Sequence, residues 1–164
     1  MKLNTGQIEF EVRPGTVDDV PLLLSFIRAM AEFEDLEVTA TEEILSDSLF
    51  GDRPAAEVLL AFVDEQLAAY AVYYFTFGTM TGKRSLWLDD IFVSPEFRKK
   101  GIAKSLMKRI AEIAVENNCG RFEWMVLDWN QTAIDLYKRM GAIVFDEWRI
   151  CRLDEQSLNA VANS

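Results

Sequence analysis

Histidine is absent from this chain. That excludes His-dependent catalytic triads, His-ligated zinc and the usual imidazole base, so acid–base chemistry must fall to Asp, Glu, Tyr, Lys, Cys or water. Cysteine is scarce. Cys119 and Cys151 stand far apart without metal-ligand spacing, which predicts no disulfide framework and no metal site, but buried free thiols in a reducing cytoplasm. No apolar run is long enough to span a membrane, and residues 1–13 lack the basic start and apolar core of a signal peptide. No repeat, low-complexity tract or Pro/Gly/Ser-rich linker interrupts the sequence. One domain over residues 1–164 is expected, long enough to bury a core.

Basic residues are in deficit, 17 Lys and Arg against 27 Asp and Glu, for a formal net charge of −10. Such a balance argues against a phosphate-neutralising nucleic-acid surface and suits a cationic partner. The distribution is sharper than the sum. No basic residue lies between Arg28 and Arg53, where Glu32, Glu34, Asp35, Glu37, Glu42, Glu43, Asp47 and Asp52 all fall. By contrast Arg98, Lys99, Lys100, Lys104, Lys108 and Arg109 crowd one short segment.

The periodicity predicts a mixed α/β domain with helices covering a sheet. Alternation over Ile8–Arg13 reads as a strand, followed by a Pro14-Gly15 turn. Thr16-x-x-Asp19 opens a helix whose apolar face is Val20, Leu23, Leu24, Ile27 and Met30, and Thr39-x-x-Glu42 opens a second that stops at Gly51. Glu57–Val63 and Gln66–Phe77 read as a hairpin around a short acidic turn, and Ser85–Val93 as a third strand of the central region. Helical spacing returns at Gly101–Glu116. A strand is expected at Phe122–Leu127, a helix capped by Asn130 and stopped by Gly141, and a last β segment at Ile143–Leu153.

The most informative segment runs from Trp87-Leu88-Asp89-Asp90-Ile91-Phe92-Val93 through Arg98-Lys99-Lys100-Gly101-Ile102-Ala103. A strand, a basic turn and a helix start with small residues make a place for an anion. The N–H groups of a first helical turn are unpaired and carry partial positive charge, and Gly101 and Ala103 admit close approach. A pyrophosphate is the natural guest, although neither the P-loop nor the three-glycine dinucleotide pattern is present. Regular alternation puts Asp89 on one face of its strand with Trp87 and Ile91, and Asp90 on the other with Leu88 and Phe92. Both could enter one cleft only if a bulge intervened, and Asp90 reads as a capping or ion-pairing residue rather than a catalytic one.

This strand–turn–helix resembles the acetyl-coenzyme A motif of the GNAT superfamily. Asn130 through Tyr137-Lys138-Arg139-Met140-Gly141-Ala142 resembles that superfamily's next motif. Similarity narrows to the spermidine/spermine N-acetyltransferase group and its thialysine-acetylating relatives. The carrying residues are Ala31-Glu32-Phe33-Glu34, Val72 to Phe77, Gly82-Lys83, Leu88 to Val93, Trp129-Asn130 and Leu136 to Ala142. The resemblance implies a mostly antiparallel twisted sheet with a splayed parallel pair, flanked by helices. It implies acetyl transfer from acetyl-coenzyme A to a polyamine, diamine or lysine-like amine in a cytoplasmic homodimer, with no part for nucleic acid, membrane or metal.

By the same resemblance, the strand backbone at Ile91, Phe92 and Val93 pairs with the pantetheine arm. Arg98, Lys99, Lys100, Gly101, Ile102, Ala103 and Lys104 cradle the pyrophosphate, and Asn130 contacts the cofactor. Tyr137 protonates the departing thiolate, Asp89 faces the amine, and Phe33, Glu34 and Glu147 (or Asp146) contribute to the amine pocket. Three departures stand out: Asp89 replaces the group's usual glutamate, Lys99 stands where glycine is common, and Ala103 replaces a second glycine. Acetylation of an amino acid, an amine drug or a protein amine stays open, as does a non-catalytic coenzyme A-binding module.

Overall fold

The alternation at the start of the chain becomes strand β2, Glu9–Pro14, with Phe10 and Val12 buried and their neighbours facing outward. In the computed structural model, which describes residues 1–164, β2 is the second of six strands lying side by side in chain order. The others are β1 (Lys2–Asn4), β3 (Glu57–Val63), β4 (Gln66–Gly78), β5 (Lys83–Val93) and β6 (Arg121–Trp124). Every neighbouring pair is antiparallel except β5–β6, which is parallel. A parallel pair needs a long return path. Helix α3, Ile102–Glu116, supplies it. The β3–β4 hairpin turns on Asp64 and Glu65, both at positive φ (46° and 67°), the hand that matches strand twist.

Each face of the sheet is closed by helix. Helices α1 (Val20–Glu34) and α2 (Glu42–Phe50) follow β2. Leu23 joins Val58, Leu60, Leu67, Tyr70 and Phe92 in a buried cluster, with Phe26, Ile27 and Met30 packed against it. Helix α3 buries Ile102, Leu106, Met107, Ile110, Ile113 and Ala114 and packs on β3 to β6. The predicted capping box is present: Asp19 accepts from the Thr16 backbone N–H at 2.8 Å. The same carboxylate takes both guanidinium nitrogens of Arg13 at 2.7 Å, tying the end of β2 to the start of α1.

The chain separates into two compact units, Met1–Met125 and Val126–Ser164. The second holds α4 (Gln131–Arg139), capped by Asn130, whose side chain accepts from Ala133 N–H at 3.3 Å, and ended by Gly141 at φ 93°. Helix α5, Glu155–Ala162, follows. No helix is long and apolar enough to cross a membrane.

Several expectations need correcting. Helix α2 is capped by Thr41, not Thr39: its hydroxyl accepts from Ile44 N–H, two residues closer to the apolar residues. Strand β6 ends at Trp124 rather than Leu127. Residues 143–153 form no strand, because no neighbouring strand supplies partners for their backbone groups. Strand β1 and helix α5 have no counterpart in the sequence reading. Cys151 is exposed, not buried, while Cys119 is partly buried, and both are free thiols.

Candidate active site

The centre of β5 breaks its own alternation. Val72 of β4 pairs with Asp90 and Tyr73 pairs with Leu88, so Asp89 is an extra residue opposite no partner. This is a β-bulge, and it resets which side chains share a face. Asp90 now falls on the side of Phe92 and Tyr70, which oppose each other, while Ile91 and Leu88 take the opposite side. The regular-strand assignment of Asp90 to the face of both Leu88 and Phe92 is thereby half overturned: Asp90 stays with Phe92, and Leu88 goes to the other face. The bulge is the exception under which both carboxylates reach one region.

The electrostatics show that they do. Asp90 is pushed up to about 6 by burial, and further by the charges of Asp89 and Glu34. No cation or hydrogen bond offsets this, so Asp90 is not the ion-pairing or capping residue the sequence suggested. Burial alone raises Glu34, the last residue of α1. Tyr70, fully buried, is raised by burial first and then by Asp90, Glu34 and Asp89. Its hydroxyl donates to the Met30 sulfur at 3.2 Å. Tyr74 also feels Asp89, after burial. Three carboxylates from α1 and β5 therefore gather around the top of Tyr70. Such a region attracts cations, and Asp90 can exchange a proton near neutral pH.

Beyond the bulge β5 has an open side. Parallel pairing with β6 covers only Ser85–Leu88, and no strand pairs with that edge from Asp89 to Val93. The backbone of Ile91, Phe92 and Val93 therefore has unshared ladder positions toward an extended ligand. Pro95–Phe97 then makes one 3-10 turn. Arg98 turns inward: its Nε donates to the Val93 carbonyl at 2.9 Å, and its guanidinium lies 4.7 Å over the ring of Phe33. Lys99 (φ 63°) and Gly101 (φ 86°) are both left-handed, so the chain reverses tightly before Ile102 opens α3. Lys99 and Lys104 are exposed, and Lys100 lies 5.2 Å over the ring of Phe97. Helix start, small residues and free lysines fit a diphosphate. No group of three or more His, Cys, Asp or Glu is arranged to hold a metal.

Phe33, Glu34, Asp89, Ile91–Val93 and Arg98–Lys104 thus all lie in the first unit. Asn130, Tyr137 and Glu147 lie in the second. Asn130 caps α4, Tyr137 is the buried residue of that helix, and Glu147 is exposed in a turn. Tyr70 is a functional candidate that sequence reasoning missed, and Asp90 one that it weighed and set aside as structural. The available signal was the doublet itself: two adjacent carboxylates inside an otherwise apolar strand cannot both be accommodated by regular alternation.

Comparison with known proteins agrees with this geometry. The chain matches the Acetyltransferase (GNAT) family over residues 26–142. It is 37% identical to the thialysine N-epsilon-acetyltransferase of Sus scrofa, across 92% of this chain and 96% of that one. It is 31% identical to the L-ornithine N5-acetyltransferase of Arabidopsis thaliana, across 96% of this chain and 90% of the other. Among solved structures, an integron cassette protein from the mobile metagenome of V. cholerae matches with a TM-score of 0.79 and 28% identity, over 94% of this chain and 98% of that one. A six-stranded mixed sheet, a basic turn opening α3 and relatives aligned nearly end to end lead to one conclusion: the chain belongs to the acetyltransferase (GNAT) family and is an N-acetyltransferase.

Proposed function

We propose that this enzyme transfers the acetyl group of acetyl-coenzyme A to a primary amine of a small cationic acceptor, a polyamine, a diamine or a thialysine- or lysine-like molecule. The observation that carries the reading is the bulge-centred group of Glu34, Asp89 and Asp90, three carboxylates with no cation of the chain to neutralise them. The two relatives above are named for acetylating an Nε and an N5 nitrogen, which supports an amine acceptor.

GNAT acetyltransferases use acetyl-coenzyme A, whose thioester supplies the activated acetyl group. Here the open edge of β5 at Ile91–Val93 would hold its extended arm. The first turn of α3 with Lys99, Lys100 and Lys104 would hold its diphosphate, and Asn130 would add a contact. An acceptor amine is protonated at neutral pH and must lose a proton before it can attack. Asp89 or Asp90, directly or through water, takes that proton, and Glu34, Phe33 and Glu147 hold the rest of the cation. The new N–C bond forms as the C–S bond breaks, and Tyr137 donates its phenolic proton to the departing thiolate. The assembled enzyme is a cytoplasmic homodimer in this reading. Exposed apolar side chains at Ile143, Phe145 and Trp148 of the second unit support association.

The test is a panel of spermidine, spermine, putrescine, thialysine, lysine and a neutral primary amine, followed by thiol release and product mass. Turnover is expected with one or two cationic amines and not with the neutral one. Equal rates on the neutral amine would remove the acidic pocket from specificity. In Tyr137→Phe, kcat is expected to fall roughly 10²–10⁴-fold with unchanged acetyl-coenzyme A affinity, and an unchanged kcat would end the acid assignment.

A further inference from the structure

The turn that precedes α3 is braced by a residue far from it in sequence. Thr5, in the connection between β1 and β2, donates its hydroxyl proton to the Lys100 carbonyl at 2.7 Å, across 95 positions. Its methyl carbon would lie only 3.0 Å from a Cβ placed on Gly101. The connection is itself well tied. Thr5 N–H donates to the Ile8 carbonyl at 3.2 Å, and the Asn4 side chain accepts from Gly6 N–H at 2.6 Å. On either side β1 and β2 pair from Lys2↔Glu11 to Asn4↔Glu9. A short hairpin thus presses one hydroxyl and one methyl onto the Lys100–Gly101 peptide.

The consequence follows from peptide geometry. A trans peptide is planar, with its C=O and the following N–H pointing in opposite directions. Holding the Lys100 carbonyl on Thr5 therefore aims the Gly101 N–H away from the hairpin. That N–H belongs to the unpaired donors at the start of α3. Left-handed residues stand on either side of Lys100, Lys99 at φ 63° and Gly101 at φ 86°. Lysine is strained there, so an external contact is needed to hold one conformation.

We infer that Thr5 is a positioning residue for diphosphate recognition: its hydrogen bond to the Lys100 carbonyl sets the direction of the Gly101 N–H. This rests on the reading of residues 98–104 as the diphosphate-binding turn. Thr5 acts through the Lys100–Gly101 peptide, so its effect falls on the affinity for one part of the donor and not on the chemical step.

The test compares wild type, Thr5→Val and Thr5→Ser, using acetyl-coenzyme A and S-acetyl-pantetheine, which lacks the diphosphate, as alternative donors. In Thr5→Val the KM for acetyl-coenzyme A and the calorimetric Kd for coenzyme A are expected to rise about three- to tenfold, the span of one net hydrogen bond. kcat should stay within twofold and the KM for S-acetyl-pantetheine should not move, while Thr5→Ser restores the wild-type values. Equal losses on both donors would reduce Thr5 to a general structural role and overturn the inference. The double variant Lys99→Ala/Lys100→Ala separates the underlying reading. If it weakens coenzyme A binding while Thr5→Val does not, only the role of Thr5 is lost. If neither weakens it, the diphosphate-binding turn is misassigned and the inference goes with it.

Discussion

At the scale of single residues, Asp90 shows a conflict between stability and function. Burial and two neighbouring carboxylates make it harder to ionise in the fold than in the unfolded chain. A carboxyl whose folded pKa is raised binds more protons native than unfolded, so stability falls as pH climbs from about 4 toward about 6. Above that the cost is fully present. Asp90→Asn keeps the shape and removes the cost. Its thermal stability is expected to exceed wild type at neutral pH, by on the order of 1–2 kcal/mol after solvent screening, and to match it below about pH 4. The same variant is expected to lose kcat/KM for a cationic amine and the inflection near pH 6 in its pH profile. A variant that is no more stable at pH 7 would show that the carboxylate is better solvated than its neighbours imply. One that keeps the inflection would shift the titration to another group. The alternation rule set Asp90 aside as a capping or ion-pairing residue, because it speaks of regular strands and cannot announce where an extra residue enters.

Among the elements, the join between β2 and α1 is the most heavily determined. Thr16 and Asp19 were legible as a capping box from their spacing alone, but the fork from Arg13 was not, since it depends on how the turn folds back. Arg13 holds the Asp19 carboxyl far below the usual carboxylate range, with the Thr16 contacts adding to it. That stabilisation is complete above about pH 4 and is lost progressively as acid protonates the folded state. Asp19→Ala is therefore expected to cost about 2–3 kcal/mol at pH 7, with the gap to wild type closing below pH 4 in urea melts. A gap independent of pH would trace the loss to packing rather than charge. Helix α3 and strands β3 to β5 were legible because 3.6- and 2-residue periods are strong over such lengths. The segment 143–153 misled for the complementary reason: Ile143, Phe145, Trp148 and Ile150 are β-favouring side chains, yet strand formation is decided by a partner that propensity does not encode.

Over the whole molecule, charge and topology divide the work. The acidic excess gathers where α1 ends and β5 bulges, while the basic segment occupies the turn into α3, so the middle of β5 and the turn that follows it present opposite signs to their ligands. The separation was readable in the sequence as two charge blocks. That the end of α1 meets Asp89 and Asp90 was not readable from the residues themselves, because it depends on contacts between positions distant in the chain. The parallel contact of β5 with β6 also has a kinetic meaning. Strands β2 to β5 meet partners that follow them in order, although β2 must wait for two helices before β3 arrives. β6 can pair only after α3 has been laid down, and the Thr5–Lys100 contact closes a longer loop still. Contacts that close long loops form late on the path to the native state. The turn between β5 and α3 is then still open at the folding barrier, and whatever binds it acts after that barrier has been crossed. Coenzyme A is expected to slow the unfolding limb of a stopped-flow chevron and to leave the refolding limb in place; a faster refolding limb would put this turn in the folding nucleus.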